Sequence, residues 1–217
     1  SENFFKKDGT KLEPINFQRT LKKFKQRYKT SDTEKPYYGP VFSSFNNGDL
    51  SSKGFLYSGV RDGHWEEYYE NGNIYCQMYY NSWIRDKDGN KLLLHPESHL
   101  FYKYYPNGQK MEYGRKMYNW NPGIEKDNEY NMIGYYVGYY ENGQIEFKEF
   151  YNKHGKKNGL ETRWYRNGNK EWEGSWKEGK EEGLWIYYDQ NGEKDYEENY
   201  ESKKKLNSTL ENENDDW

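Results

Sequence analysis

Six times along the chain an aromatic-rich segment runs into the dipeptide Asn-Gly: at Asn47-Gly48, Asn71-Gly72, Asn107-Gly108, Asn142-Gly143, Asn167-Gly168 and Asn191-Gly192. Asn-Gly between strand-forming residues is the strongest short-range hairpin signal, because a two-residue type I′ turn needs positive φ at both central positions and these residues tolerate it best. Each copy therefore predicts one antiparallel hairpin. Recurrence at a fixed spacing adds a second constraint. A lone hairpin cannot bury its apolar side, so the copies must stack, and function belongs to the array.

The fullest copies, Gly59 to Gly72 and Gly179 to Gly192, share G-x-x-x-G-x-W, with Asn-Gly beginning six residues after Trp65 and Trp185. A third copy holds Gly155, Gly159, Trp164 and Tyr165, with Glu161 in the tryptophan position; a fourth holds Gly134, Tyr136, Tyr139 and Tyr140. Two weaker copies carry His99 in place of the second glycine ahead of Phe101, Tyr104 and Tyr105, and Gly39, Val41 and Phe45 ahead of Asn47. The asparagines are spaced by 24 residues (47 to 71, 167 to 191) or 25 (142 to 167), but by 36 and 35 on either side of Asn107. The two long intervals carry insertions near residues 85–96 and 119–130. With all Asn-Gly turns on one sheet edge, both insertions would project from the other, where repeat proteins often place binding specificity.

Pairing around Asn71-Gly72 sets Tyr69 opposite Ile74, Glu67 opposite Cys76 and Trp65 opposite Met78. One face then gathers Trp65, Tyr69, Ile74, Cys76 and Met78. The other gathers Glu66, Tyr68, Glu70, Tyr75, Gln77 and Tyr79, a mixture of tyrosine and charge suited to a solvated surface that can bind.

Composition selects the same class. The chain has no Ala and three Val, but 25 Tyr and 8 Trp, which favours strands over helices. A hydrophobic content of 32% leaves little for a thick interior. The expectation is an all-β fold: tandem antiparallel β-hairpin repeats forming an elongated twisted sheet, with one N-terminal capping helix. That helix is predicted from Glu13 to Lys29, where Ile15, Leu21, Phe24 and Tyr28 approximate an amphipathic stripe; the rival reading is a helix for a partner or an anionic surface. The segment 1–38 would carry it, residues 39–200 the six repeats, and 201–217 a charged tail, solvated or docked as a second cap. Cys76 alone excludes an intrachain disulfide framework and reads as a small core residue. No run of eighteen apolar residues offers a membrane-spanning helix. A start at Ser1 fits either a processed, exported protein or a trimmed cytoplasmic one.

The pattern Y-x-x-G-x-x-x-G-x-W-x-x-Y-Y-x-N-G resembles the MORN repeat over about Gly39 to Tyr200, in particular a bacterial variant found in proteins labelled antitoxin-like. The resemblance implies tandem hairpins in an elongated antiparallel sheet, association with proteins or lipids, and no catalysis. For the variant it implies neutralising a toxin by binding. His99, Glu161, Val41 and the insertions depart from the pattern and speak against a uniform groove.

Four constellations could hold chemistry. Asp86, Asp88, Asn90 and Glu97 imitate positions 1, 3, 5 and 12 of a calcium loop, but Gly89 falls at position 4 and Lys91 at 6, so a tight surface turn competes with calcium. His95 and His99 lack a third zinc ligand and have Pro96 between them. Ser98 beside His99 has no oxyanion pattern. Glu66-Glu67 and Glu181-Glu182 lie on strands, where neighbours face opposite ways, and read as solubilising charges.

No cofactor and no enzymatic activity are expected. The leading expectation is a protein-binding repeat scaffold, of the immunity or antitoxin type, using a ladder of Tyr68, Tyr104, Tyr139, Trp164 and Tyr188 at one repeat position, since Tyr and Trp give large contact area at low entropic cost. The same residues could instead pack neighbouring repeats. The alternative is a small-ligand, glycan or lipid binder using the aromatic face. A net charge of −3 gives nucleic acid no electrostatic footprint. The expected state is a monomer or a partner-dependent complex.

Overall fold

In a computed structural model, residues 4–15, 27–30, 36–80, 83–85, 91–93, 98–118 and 130–201 are described. Their seventeen elements are all strands: β1 (Phe5–Lys6), β2 (Leu12–Ile15), β3 (Arg27–Thr30), β4 (Gly39–Ser44), β5 (Leu50–Tyr57), β6 (Val60–Tyr68), β7 (Ile74–Tyr80), β8 (Trp83–Arg85), β9 (Lys91–Leu93), β10 (Ser98–Tyr104), β11 (Lys110–Tyr118), β12 (Tyr130–Tyr139), β13 (Ile145–Tyr151), β14 (Gly159–Trp164), β15 (Lys170–Lys177), β16 (Lys180–Tyr188) and β17 (Lys194–Asn199). Thirteen form one sheet in the order β1-β4-β5-β6-β7-β10-β11-β12-β13-β14-β15-β16-β17. The pairs β2-β3 and β8-β9 stand apart, the latter inside the first insertion. Two compact units divide the chain: residues 1–110 with 115–131, and 111–114 with 132–217, so that β11 contributes to both.

The N-terminal capping helix is overturned. Leu12–Ile15 and Arg27–Thr30 are strands paired with each other, Glu13 opposite Lys29 and Ile15 opposite Arg27; residues 16–26 lie outside the described residues. Pro14 holds Glu13 in extended backbone, which a strand accepts as readily as a helix start does, and the pairing with Arg27–Thr30 is what takes both ends of the apolar stripe into a sheet. The first repeat is covered by β1 instead, which pairs with β4 through Phe5↔Phe42 and Lys6↔Val41. Phe4 is fully buried and meets Trp65 edge-on at 5.4 Å.

Each of the six Asn-Gly dipeptides closes a hairpin, but through another turn than type I′. At the second, the Gly72 amide donates to Tyr69 O (2.9 Å) and the Tyr69 amide to Asn73 O (2.8 Å). Gly72 has φ +83, and Asn71 is not among the residues with positive φ. This is a three-residue loop: a turn over Tyr69 to Gly72, then a left-handed glycine that forms a bulge. The Asn71 side chain bonds the chain two residues on, its Oδ1 accepting from the Asn73 amide at 3.0 Å; Asn107, Asn142 and Asn167 repeat that bond. In the sixth hairpin Asp189 takes the role, accepting from the Asn191 and Glu193 amides. The bulge corrects the expected register next to the turn, since Tyr68 rather than Tyr69 faces Ile74, while Glu67↔Cys76 and Trp65↔Met78 stand as read. Type I′ geometry occurs at the other edge, in Ser58-Gly59 (φ +50, +73) and Glu178-Gly179 (φ +51, +81).

Trp65 and Trp185 each lie on a glycine of the preceding strand. A Cβ on Gly54 would stand 2.2 Å from the Trp65 ring, and one on Gly174 2.1 Å from the Trp185 ring. The Trp65 indole N–H donates to Phe55 O (3.1 Å) and Asp62 O (3.2 Å). In the first unit Val41, Leu56, Cys76, Met78, Tyr80 and Phe101 are also buried, and alternation puts them on the Trp65 side of their strands. In the second unit Trp172 stacks on Trp185 at 5.0 Å, and Trp176 meets it edge-on at 5.3 Å.

Candidate binding face

Opposite the tryptophan side, each unit presents a second face of distinct chemistry. In the first unit it carries Lys53, Phe55, His64, Glu66, Tyr68, Gln77, Tyr79, Tyr102 and Tyr104, because these residues alternate with the buried ones along β5, β6, β7 and β10. Lys53 pairs with Glu66 at 2.7 Å, the Tyr68 hydroxyl donates to Glu66 Oε2 at 2.6 Å, Gln77 Nε2 donates to Glu66 Oε1 at 3.2 Å, and the Tyr104 hydroxyl donates to Gln77 Oε1 at 2.8 Å. Burial pushes the Glu66 carboxyl up, but the hydrogen bonds from Lys53, Tyr68 and Gln77 more than offset it and hold the group at about 2. Tyr68 and Tyr104, from the predicted ladder, are thus half-buried and fixed in a cross-strand network.

The second unit holds the rest of the ladder. The Tyr188 hydroxyl donates to Glu173 Oε1 at 2.9 Å, and Lys170 donates to Glu173 Oε2 at 2.7 Å. Tyr139 lies against Tyr113, ring centroids 6.4 Å apart. Trp164 is half-buried.

The most exposed side chains on this face stand at other repeat positions than the ladder; of them the sequence places Tyr79 on the face, and it misses Phe55, Tyr135, Leu160 and Leu184. In the first unit Phe55 is 42% exposed and Tyr79 44%, with Tyr79 stacked on His64 at 4.7 Å. In the second, Tyr135 and Leu160 are each 57% exposed and Leu184 47%, with Phe150 edge-on to Tyr135 at 5.1 Å. His64, Leu100, Tyr135, Leu160 and Leu184 all stand one residue before the tryptophan position, and Phe55, Tyr79 and Phe150 stand seven after the turn glycine. Aligning the copies on Asn-Gly would have found both columns.

Successive hairpins are clipped along the turn edge. A tyrosine two residues before the turn asparagine reaches the next hairpin's backbone at three joints: Tyr69 hydroxyl to Tyr104 O (2.9 Å), Tyr140 to Trp164 O (2.8 Å) and Tyr165 to Tyr188 O (2.9 Å). The turn asparagines add Nδ2 bonds, Asn142 to Arg166 O (2.9 Å) and Asn167 to Gln190 O (2.6 Å). Asn71, Asn107, Asn142, Asn167 and Asn191, with Gly72, Gly108, Gly143, Gly168 and Gly192, all stand at turns.

Three stretches match the MORN repeat variant: residues 61–82, 132–153 and 181–202. They cover all but the first one or two residues of the hairpins β6-β7, β12-β13 and β16-β17. The matched hairpins are thus similar to MORN repeats, which are generally modules that bind proteins or membranes. No curated protein matches the chain. The calcium candidate Asp86, Asp88, Asn90 and Glu97 lies outside the described residues, as does His95; His99 is buried on β10.

Proposed function

We propose that the chain is a non-enzymatic protein-binding scaffold that docks through the outer face of a unit, opposite Trp65 in the first or opposite Trp185 in the second, and that it acts in the antitoxin or immunity manner, neutralising a protein partner by covering it. One observation carries the reading: exposed apolar side chains recur at fixed repeat positions beside tyrosines locked by hydrogen bonds. Single exposed apolar residues are ordinary on a surface, whereas a column of them with pre-ordered aromatic neighbours suits an interface hot spot. The fixed Tyr68 and Tyr104 network lowers the entropy lost on docking.

The test is affinity capture from source-cell lysate with the intact chain, quantified by mass spectrometry, beside Tyr79→Ser, Leu160→Ser and, on the tryptophan side, Tyr196→Ser. Loss of one stoichiometric protein with Tyr79→Ser or Leu160→Ser, and its retention with Tyr196→Ser, is expected. Capture indifferent to the first two variants overturns the assigned face. Absence of any captured protein, with retention on a glycan or lipid array, replaces the protein partner by the ligand alternative.

A further inference from the structure

Between the fourth and fifth hairpins the repeat's glycine and tryptophan are replaced by two glutamates. Six residues after the turn glycine stand Gly54 and Gly174, which receive the indoles of Trp65 and Trp185. The same count from Gly143 reaches Glu149, and Glu161 holds the tryptophan position. Both glutamates are buried, Glu161 to 1% exposure. Lys157, from the β13-β14 connection, donates to Glu149 Oε1 at 3.2 Å and to Glu161 Oε2 at 2.7 Å. Arg163 Nη2 donates to Glu149 Oε1 at 3.5 Å, and its Nε lies 3.6 Å from Glu161 Oε1. The Tyr151 hydroxyl donates to Glu149 Oε2 at 2.6 Å. Glu161 Oε1 is buried and accepts no hydrogen bond. The backbone ladder is interrupted at the two glutamates: β13 and β14 pair at Phe147↔Arg163 and Lys148↔Thr162 and resume with the Asn158 amide donating to Phe150 O (2.8 Å) and the bridge Tyr151↔Lys157, the same break that separates Lys53↔Glu66 from Phe55↔Asp62 and Glu173↔Ile186 from Ser175↔Glu182.

We propose that Glu161, facing Glu149 across the strands, forms a proton-operated joint, in which uptake of one proton by Glu161 tightens the fourth hairpin against the fifth and its loss loosens them. Two buried carboxylates on adjacent strands repel when both are ionised; Lys157 and Arg163 offset that repulsion but leave Glu161 Oε1 without a hydrogen bond, and a proton on Glu161 relieves both the repulsion and the cost of burying its charge. Glu161 faces Glu149 and Tyr151 of β13, Lys157 of the connection and Arg163 of β14. Further out are Glu112 of β11, which accepts from the Tyr136 hydroxyl of β12, and Glu181 of β16, opposite Trp176. Trp176 and Trp172 of β15 add no titrating group but hold the cations, with Lys157 over Trp176 at 5.0 Å and Arg163 over Trp172 at 5.7 Å. Burial pushes the Glu161 carboxyl above its ordinary range, the Lys157 hydrogen bond pulls it back, and the charge of Glu149 pushes it up again. For a carboxyl raised on folding, the stabilisation is complete below its unfolded pKa and is lost as pH rises through the folded value.

Phe150 and Leu160, next in sequence to the two glutamates, belong to the proposed docking face. A pH-dependent joint would therefore modulate binding there; that consequence rests on the docking reading, whereas the joint does not. The test is hydrogen exchange on the full chain without partner, from about pH 5 to about pH 8 and corrected for intrinsic rates. Wild-type protection over residues 145–164 is expected to fall with rising pH by up to about tenfold per unit. Glu161→Gln should abolish the dependence, and Glu149→Gly with Glu161→Trp, which rebuilds the repeat's own pair, should fold and be insensitive to pH. Flat wild-type protection, or a dependence surviving in either variant, overturns the joint.

Discussion

Gly54→Ala should destabilise the first unit far more than a glycine replacement normally does. The added Cβ would lie 2.2 Å from Trp65 Cδ2 and 2.3 Å from Cε2, against a carbon contact distance of about 3.5–4.0 Å, so the indole must move by more than about 1 Å. Trp65 has nowhere to go: it is wholly buried, edge-on to Phe4, and tethered through its N–H to Phe55 O and Asp62 O. Overpacking costs about 1–3 kcal/mol, and weakening the buried hydrogen bonds adds about 0.5–1.5 kcal/mol, giving a loss of about 1.5–4.5 kcal/mol. Gly63→Ala is the control, with open space around its Cβ and φ +63, so that only the left-handed backbone penalty of about 1–2 kcal/mol applies. Gly174→Ala should fall between, because the Trp185 N–H has no hydrogen bond to lose. Urea unfolding followed by tryptophan fluorescence, with hydrogen exchange to separate the units, reads all three. A Gly54→Ala loss no larger than that of Gly63→Ala would refute the glycine-tryptophan packing.

Tyr140→Phe removes the hydroxyl clip to Trp164 O and should cost about 0.5–1.5 kcal/mol in the second unit, measured by denaturant unfolding; an unchanged midpoint would show that the clip is solvent-compensated. Ser58→Gly should be neutral or mildly stabilising, since the native φ is +50, whereas Ser58→Val should lower the melting temperature clearly. The Glu66 carboxyl is held at about 2, below its unfolded value, so its contribution is present above about pH 4.5 and is lost as pH falls toward 2. Glu66→Gln should flatten that part of the first unit's stability profile, and an unaltered profile would assign the acid sensitivity elsewhere.

The positions of the hairpins were legible because Asn and Gly are chemically unusual and recur in phase. The turn type was not, because asparagine serves two turns: it tolerates positive φ, but it also bonds the amide two residues on, and the chain uses the second property at Asn71, Asn107, Asn142 and Asn167. The apolar stripe of Ile15, Leu21, Phe24 and Tyr28 suits a helix by its spacing, but Ile15 and Tyr28 stand on paired strands, β2 and β3, so the spacing alone does not select the helix. Conspicuous tyrosines drew attention to the ladder of Tyr68, Tyr104, Tyr139, Trp164 and Tyr188, while the more exposed columns are chemically mixed, with His64, Leu100, Tyr135, Leu160 and Leu184 sharing one position. Glu161 stood out in the tryptophan position, but Glu149 became visible only when the tryptophan was seen to need a glycine beneath it.

The docking face is tested most directly by hydroxyl-radical footprinting of the full chain, free and in complex with its captured partner. Protection of Phe55 and Tyr79, or of Tyr135, Leu160 and Leu184, with Tyr196 reacting as in the free chain, is the expected result. Protection confined to Tyr196 and its neighbours on the tryptophan side, with the outer columns still reactive, would contradict it.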